Sequence, residues 1–329
     1  AFYGHHLAHN NDVKSDMKKI VTYISEFMGE IPYDRYLFIT HLLPSLFGGL
    51  EHQNSTVLQF DSTSFANRKD YINWLALVSH EYFHTWNVKR IRPKGLGPFN
   101  YQKEVDTSML WLAEGLTSFM DELFLLRANL ISNKEYLELQ VKNLNRYFST
   151  KGRKFHSLEE SGFNAWNTLY KPHENSANSS VSYYLKGGIV FFLLNFEFVR
   201  NGSSIKGLIH ELWKLYKDNP DEGMIKKDFI EIVEKLGGEG IAEKFDGMIS
   251  TTEELPIVKS LEEMGIEVEY ELSDKVEFGI QVRYEGKRVF VYSISSFIIL
   301  ITLDEIKLDI CFNNNPITIL AVGAGYAYD

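Results

Sequence analysis

The spacing of hydrophobic residues predicts an amphipathic helix near the start of the chain. Apolar side chains recur three or four residues apart over residues 13–28, and Gly29 follows as a residue that can end a helix. Two stretches rich in β-forming residues come next, at residues 35–43 and 56–60, and we interpret both as strands. A pair of glycines interrupts the pattern between them.

Helical periodicity dominates the middle of the chain, and alternation replaces it later. The pattern predicts helices near residues 70–89, 105–128, 134–148, 181–200, 205–217 and 226–236. After about residue 251 the segments "IEVEYEL", "FGIQVRYEG", "RVFVYSIS" and "FIILITL" are typical of strands. We therefore predict an α+β protein, with a mostly helical domain over residues 1–250 and a small β-rich domain over residues 251–329.

Composition narrows the classes of partner. The formal net charge of the 329 residues is −10 and basic residues form no long run, so nucleic acid and anionic membrane surfaces are not expected partners. No apolar run approaches the roughly 20 residues that span a bilayer. The single cysteine, Cys311, excludes an intrachain disulfide framework. A single thiol fits a reducing compartment, and we expect a cytoplasmic location.

Candidate chemistry begins with "SHEYFH", which holds two histidines four residues apart. In a helix, His80 and His84 share one face, so both imidazoles could bind one metal ion. Glu81 lies beside them without being a ligand, and it could act as a general base. By itself, the pattern also fits an ordinary amphipathic helix that happens to contain two histidines. The metal hypothesis therefore needs a third ligand.

A carboxylate in an apolar helix supplies a candidate for that ligand. Glu114 lies in "MLWLAEGLTSFMDEL", whose apolar residues cover most of the helix circumference. A carboxylate buried there without a cation would be costly, and a zinc ion would provide the cation. The alternative is a solvent-facing glutamate. Asp121 lies two turns further on, where it could accept a hydrogen bond from a ligand histidine or be an exposed polar residue.

Four motifs together resemble one family of peptidases. The segments "FGGLEH", "HEYFHTWNVKRI", "WLAEGLTSF" and "NSANSSVSYYLKGG" resemble the glycyl aminopeptidase family, whose members are gluzincin zinc metallopeptidases. The likeness extends from about His6 to Arg200 and less distinctly to Gly279. It implies a thermolysin-like catalytic domain, a PDZ-type domain near the C-terminus, and one Zn²⁺ per chain. It also implies the following roles: zinc ligands His80, His84 and Glu114, and general base Glu81.

The same resemblance gives roles to two further segments. "GGLEH" is similar to an exopeptidase motif that follows an edge strand, where Gly48 and Gly49 would let the substrate backbone approach and Glu51 would bind the substrate's α-ammonium group. The alternative for Glu51 is a loop glutamate without a partner. "SYYLKGG" resembles the segment that carries an oxyanion-stabilising tyrosine. Its Tyr-x-Lys-Gly pattern favours Tyr184 over Tyr183, although either tyrosine could belong to the core.

The resemblance thus implies a zinc-dependent aminopeptidase that removes small residues such as glycine or alanine from peptides with a free N-terminus. The alternatives are a zinc endopeptidase and a non-catalytic peptide-binding relative, and the oligomeric state is not predicted. Family members carry a β-rich domain ahead of the first helix, so we expect an N-terminal segment to be missing. The β-rich end is too short for a complete PDZ domain. We interpret His210 as structural, and His5, His6 and His9 as exposed.

Overall fold

Helices make up most of the described chain, and a small sheet lies near its beginning. The computed structural model describes residues 1–4, 10–100, 102–173, 175–269, 280–285, 288–293 and 317–321. The helices are α1 (Asn10–Met28), α2 (Arg68–Phe83), α3 (Leu116–Arg127), α4 (Asn133–Ser149), α5 (Leu158–Phe163), α6 (Ala165–Thr168), α7 (Ser176–Ser179), α8 (Tyr183–Arg200), α9 (Ile205–Asp218), α10 (Lys226–Gly237), α11 (Glu239–Ser250) and α12 (Ile257–Glu263). The strands are β1 (Phe2–Tyr3), β2 (Leu37–Leu42), β3 (Phe47–Glu51), β4 (Ser55–Phe60), β5 (Ile280–Glu285), β6 (Arg288–Ser293) and β7 (Ile317–Ala321). Shorter turns are the 3₁₀ segments Ser62–Ala66 and Lys151–Lys154 and the π-helical turn Trp111–Gly115. The prediction of a helix-dominated α+β fold is confirmed.

The first sheet has the strand order β1-β2-β4-β3. Strand β2 runs parallel to β1 and β4, whereas β3 pairs antiparallel with β4 and places Glu51 opposite Thr56. Periodicity alone missed β3, because its two glycines carry no side chains that could alternate. The family resemblance predicted an edge strand for this motif, and that prediction is confirmed.

The core lies where α2 packs against the sheet on one side and against α1 and α3 on the other. Helix α8 packs against α3 and against the π-helical turn. Large buried aromatic side chains fill this core in two groups: Trp74, Phe83, Trp86 and Phe124 around α2, and Trp111, Phe191 and Phe229 around the π-helical turn. Because burial of each such ring contributes on the order of 1.5–3 kcal/mol, the first group holds α2 in one position and the second holds the π-helical turn.

Two predicted helices have different bounds in the structure. Helix α2 ends at Phe83 rather than near residue 89, because the carbonyl of Asn87 accepts a hydrogen bond from the His84 ring and the following residues fold into turns. The helix predicted over residues 105–128 is regular only in α3. Its first part is the π-helical turn, which follows a local hydrogen bond from the Met109 amide to the Thr107 hydroxyl.

Five helices among the described residues were not predicted, namely α5, α6, α7, α11 and α12. Gly238 ends α10 with a φ of 90° and at the same time begins α11. Helix α12 follows residue 251, and its Ile257 and Leu261 side chains are buried in the core.

No helix among the described residues is long and apolar enough to cross a membrane.

A second, three-stranded sheet has the order β5-β6-β7. Strands β5 and β6 are antiparallel and correspond to two predicted strands, and β7 runs parallel to β6. The first four residues of "IEVEYEL" are not in a strand. The segment "FIILITL", the remainder of "IEVEYEL" and Cys311 lie outside the described residues.

Candidate active site

The last turn of α2 and the residue that caps its end carry three of the predicted site residues. His80, Glu81 and His84 are all buried, and the two imidazole rings lie 4.6 Å apart between centroids on the same side of the helix. The helix begins at Asn67, whose side chain accepts the Asp70 amide as an N-cap. A capped start and a buried end fix both the register and the rotation of α2, and hence the direction of both rings.

Glu114 reaches the two histidines from the π-helical turn. Its Oε2 atom lies 3.2 Å from Nε2 of His80 and 3.2 Å from Nε2 of His84. The three ligand atoms all lie within 4.8 Å of one another. A π-helical turn inserts an extra residue into a helix and is frequent at functional sites. Here the inserted turn carries the carboxylate that meets both imidazoles.

The outer nitrogen of each histidine is already engaged. His80 Nδ1 lies 2.9 Å from Oδ2 of Asp121, and His84 Nδ1 donates to the Asn87 carbonyl at 2.6 Å. A carbonyl oxygen can only accept, so the proton of neutral His84 is on Nδ1 and the lone pair is on Nε2. The carboxylate of Asp121 favours the same tautomer for His80. Both Nε2 lone pairs then face a carboxylate oxygen.

A cation fits this arrangement of donors. Two imidazole lone pairs and one carboxylate oxygen repel one another unless a positive charge lies between them. Two histidines and one glutamate are also a ligand set found at catalytic zinc sites. Burial by itself would raise the pKa of Glu114, but His84 and His80, when they are protonated, outweigh burial and hold the pKa well below its usual range. Glu114 is therefore an ionised carboxylate, as a metal ligand must be.

Asn87 ties the end of α2 to the π-helical turn. Its amide donates to the carbonyls of Leu112 and Ala113 and to the Thr117 hydroxyl, at 3.0–3.1 Å. The side chain of Asn87 therefore holds the turn that carries Glu114, while the backbone carbonyl of the same residue orients His84. The sequence analysis did not identify Asn87 as a site residue.

Glu81 lies between α2 and the edge strand β3. A Cβ atom built on Gly49 would lie 2.2 Å from Oε1 of Glu81, whereas one on Gly48 would meet nothing within 4 Å. Position 49 therefore requires a glycine because the Glu81 side chain packs directly against the backbone of β3 there. The Thr56 hydroxyl lies 3.5 Å from the other oxygen of this carboxylate. Burial raises the pKa of Glu81 to about 7, although His84 and His80 oppose the shift.

Glu51 at the end of β3 completes a second side of the site. Its carboxylate lies with Glu81 and His84 in a group whose ligand atoms are all within 4.8 Å of one another. Its Oε1 atom is 2.8 Å from the ammonium group of Lys89, which also lies 3.9 Å above the centre of the Phe99 ring. The alternative of a loop glutamate without a partner is therefore wrong. Lys89 was not predicted as a site residue.

Helix α8 brings two tyrosines to the site. The ring of Tyr184 stacks on that of His80 with centroids 6.1 Å apart, and the ring of Tyr183 stacks on that of Tyr184 with centroids 4.8 Å apart. Tyr183 is 1% exposed. Burial raises the pKa of Tyr184 well above its usual value, so its phenol keeps its proton.

The approach of α8 depends on two glycines that face each other. A Cβ atom on Gly115 would lie 2.7 Å from the Cα atom of Gly187, and a Cβ atom on Gly187 would lie 2.8 Å from the Cα atom of Gly115. Because these contacts are between backbone atoms, neither position can accept a side chain without moving α8 away from the π-helical turn.

The remaining histidine candidates lie elsewhere. Nε2 of His210 on α9 is 2.8 Å from the Phe27 carbonyl, and His210 belongs to neither metal-competent group among the described residues. Its interpretation as a structural residue is consistent with that contact. His5, His6 and His9 lie outside the described residues.

Comparison with known proteins places these features in context. Residues 73–190 match the family model of the M61 glycyl aminopeptidases. The crystal structure of an aminopeptidase N family protein from Idiomarina loihiensis is similar to this chain, with 28% identity and a TM-score of 0.81. The match covers 90% of this chain and 54% of that protein, so the chain spans about half of its length.

More distant structures share the fold alone. An M1 zinc metallopeptidase from Deinococcus radiodurans matches with 14% identity and a TM-score of 0.51, covering 78% of this chain and 48% of that one. Yeast LTA4 hydrolase in complex with bestatin matches with 15% identity and a TM-score of 0.51, covering 74% and 36%. The search of curated proteins gave no match. The resemblance to the glycyl aminopeptidase family is confirmed over residues 73–190, which carry His80, His84 and Glu114.

Proposed function

We propose that this chain is a zinc-dependent aminopeptidase that removes small N-terminal residues, such as glycine or alanine, from peptides. One observation carries the proposal: Glu114 meets the inner nitrogens of His80 and His84, with Glu81 and Glu51 beside them. The family match and the similarity to an aminopeptidase N family protein from Idiomarina loihiensis support the same class of reaction. A preference for glycine or alanine is carried by the family resemblance alone.

The ligands of the metal would be His80, His84 and Glu114, with one Zn²⁺ per chain. Bound zinc in such a site supplies a Lewis acid that polarises a carbonyl and lowers the pKa of water. Asp121 and the Asn87 carbonyl engage both Nδ1 atoms and aim both Nε2 atoms inward, where each can bind a metal ion once it has lost its proton. The protein therefore holds its ligands in position before any ion binds.

Glu81 is the proposed general base. Its carboxylate is buried, and a pKa near 7 suits a group that must accept a proton and release it again at neutral pH. Glu81 would take a proton from the attacking water and return it to the leaving amine. Proton transfer by a positioned side chain contributes about 10²–10⁴ in rate.

Tyr184 is the proposed donor to the oxyanion. Its position against the His80 ring favours it over Tyr183, which stacks on Tyr184. Its phenol keeps its proton and can therefore donate. A hydrogen bond aimed at the developing negative charge is worth about 10²–10³ in rate. Helix α8 positions this donor through its close contact with the π-helical turn.

Glu51, at the end of the strand that contains Gly48 and Gly49, is the proposed anchor for the substrate's α-ammonium group. A carboxylate can accept hydrogen bonds on both oxygens, so the ion pair with Lys89 leaves acceptor capacity for a substrate. Holding the N-terminus beside Glu81 would limit cleavage to the first peptide bond. Peptides with a free N-terminus are therefore the proposed substrates.

The test is hydrolysis of glycyl and alanyl p-nitroanilides by the zinc-loaded chain, beside the N-acetylated forms. We expect release of nitroaniline only from the free amines, and loss of activity with a chelator. Substituting Glu81→Gln should remove activity and leave the zinc content unchanged, because Glu81 is not a ligand. Cleavage of acetylated substrates would favour an endopeptidase. Bound zinc and peptide without hydrolysis would favour a non-catalytic peptide-binding relative.

The wider organisation of the chain is proposed on the resemblance. We propose a thermolysin-like catalytic domain over residues 1–250 and a partial PDZ-like domain over residues 251–329. A cytoplasmic location also remains a prediction. Limited proteolysis that cuts first between residues 250 and 256 and leaves a stable N-terminal fragment would support this division; a first cut inside α8 or α10 would contradict it.

A further inference from the structure

A buried lysine lies directly behind the proposed amine anchor. The side chain of Lys89 is 3% exposed, and its ammonium group is 2.8 Å from Oε1 of Glu51. Long charged side chains are almost never buried this completely unless they are paired. Among the described residues, no other lysine or arginine forms an ion pair with a carboxylate of the proposed site.

Lys89 is also held from its other sides. Its ammonium group lies 3.9 Å above the centre of the Phe99 ring, which is cation–π contact distance. Its backbone amide donates to the carbonyl of His84 at 3.0 Å. The cation is thus fixed to the same turn as a proposed zinc ligand, with little freedom to follow Glu51 if that side chain moves.

The neighbouring Arg90 supports the antiparallel hairpin formed by β3 and β4, to whose first strand Glu51 belongs, by a different kind of contact. The guanidinium group of Arg90 donates to the carbonyls of Gln53, Thr85 and Pro32, at 2.6–3.2 Å. Arg90 therefore holds the backbone of the turn between β3 and β4, whereas Lys89 holds a side chain at the end of β3. These two adjacent basic residues provide a natural comparison between support of the backbone and orientation of one carboxylate.

We propose that Lys89 is a positioning residue for the substrate's N-terminus: its ammonium group fixes one oxygen of Glu51, so that the other oxygen receives the α-ammonium group of the peptide. The inference rests on the proposed aminopeptidase function. It assigns Lys89 no contact with the scissile bond. Its effect is therefore expected on substrate binding rather than on the chemical step.

The test is a double-mutant cycle with Glu51→Gln and Lys89→Met, using glycyl p-nitroanilide. Methionine keeps the length of the buried side chain and removes the charge. Lys89→Met should raise KM about tenfold, which is about 1.4 kcal/mol, and change kcat less than threefold. In the Glu51→Gln background, the same substitution should change KM less than threefold, because its target is already lost.

Arg90→Met is the matched control for a structural effect. It removes an adjacent cation that supports the same hairpin, and it should lower the thermal midpoint while leaving KM within about threefold of wild type. Zinc content and the thermal midpoint are measured for every variant. If Lys89→Met does not fold, Lys89→Arg keeps the charge but displaces it from Glu51, and should still raise KM about threefold.

The outcomes separate this inference from the proposed function. An inactive zinc-loaded wild type would reject the aminopeptidase proposal. An active wild type with an unchanged or lower KM in Lys89→Met, or in Lys89→Arg where only that variant folds, would reject the role of Lys89 alone. An equal effect of Lys89→Met in the wild-type and Glu51→Gln backgrounds would also reject it, because Lys89 would then act independently of Glu51.

Discussion

Replacing Gly49 with alanine should displace the general base without unfolding the protein. The added Cβ atom would lie 2.2 Å from Oε1, 2.3 Å from Cδ and 2.5 Å from Cγ of Glu81, whereas ordinary contacts begin at 3.4 Å. All three clashing atoms belong to one side chain, so Glu81 can rotate away while the strand stays in place. The carboxylate must retreat by more than 1 Å at its nearest atom.

A displacement of this size has a large effect on catalysis. A misplacement of about 1 Å can cost about 10²-fold in rate, and complete loss of a positioned base costs about 10²–10⁴. We therefore expect kcat of Gly49→Ala to fall by about 10²-fold or more in the glycyl p-nitroanilide assay. The zinc content should not change, because Glu81 is not among the proposed ligands.

Gly247→Ala is the matched control. Gly247 lies within α11, and a Cβ atom there meets nothing within 4 Å. Alanine is favoured over glycine inside a helix by roughly 0.5–1 kcal/mol, so this variant should be as active as wild type and slightly more stable. Wild-type kcat in Gly49→Ala would refute the reasoning, since it would mean that Glu81 is not the base or does not act from this position.

Three further predictions concern support of the site. Asp121→Asn should weaken zinc binding about 10- to 100-fold in a competition titration, because it removes the charge that orients His80. Gly187→Ala should lower the free energy of unfolding by about 1–3 kcal/mol, measured by urea denaturation, because its Cβ atom meets backbone; Gly188→Ala, whose nearest contact is 3.7 Å, is the control. Lys186→Met should raise the thermal midpoint at pH 7, because burial of Lys186 lowers its pKa to about 8.

The pH dependence of the Lys186 variant follows from the direction of that shift. Below pH 8 the amine is charged in both states, and the folded state bears the full cost of burying the charge. Between pH 8 and the unfolded value of 10.5 the folded protein binds fewer protons than the unfolded chain, so the cost falls as the pH rises. The advantage of methionine should shrink over that range. A constant difference between pH 7 and 10 would contradict the assignment.

The predictions for Asp121→Asn and Gly187→Ala can also be contradicted by a single result each. Unchanged zinc affinity in Asp121→Asn would show that His80 is oriented by its surroundings without the carboxylate. Equal stability of Gly187→Ala and Gly188→Ala would show that α8 can move away from the π-helical turn at no cost.

Helical periodicity and the burial argument were enough to place the proposed metal ligands. His80 and His84 are four residues apart, and any helix brings them to one face. An apolar helix circumference made Glu114 a candidate without a structure. The sequence could not show the π-helical turn, because it differs from an α-helical turn by a single inserted residue and has no periodic signature of its own.

Lys89 and Asn87 illustrate what the sequence could not show. A "KR" pair after a helix resembles a solvated turn, and Lys89 is buried only because Glu51 and Phe99 are brought to it from distant segments. Asn87 is likewise buried by contacts with the π-helical turn. Gly49 was predicted to let the substrate backbone approach. In the structure, a side chain at this position would clash with Glu81. These contacts are long-range, and a local pattern does not encode them.

The central claim is tested most directly by digesting one synthetic peptide that begins with glycine and following the products by mass spectrometry. The zinc-loaded chain should release the first residue while the N-acetylated peptide stays intact. Successive products should each be one residue shorter at the N-terminus. Internal cleavage of both peptides, or no cleavage by a chain that contains one zinc ion, would contradict the account.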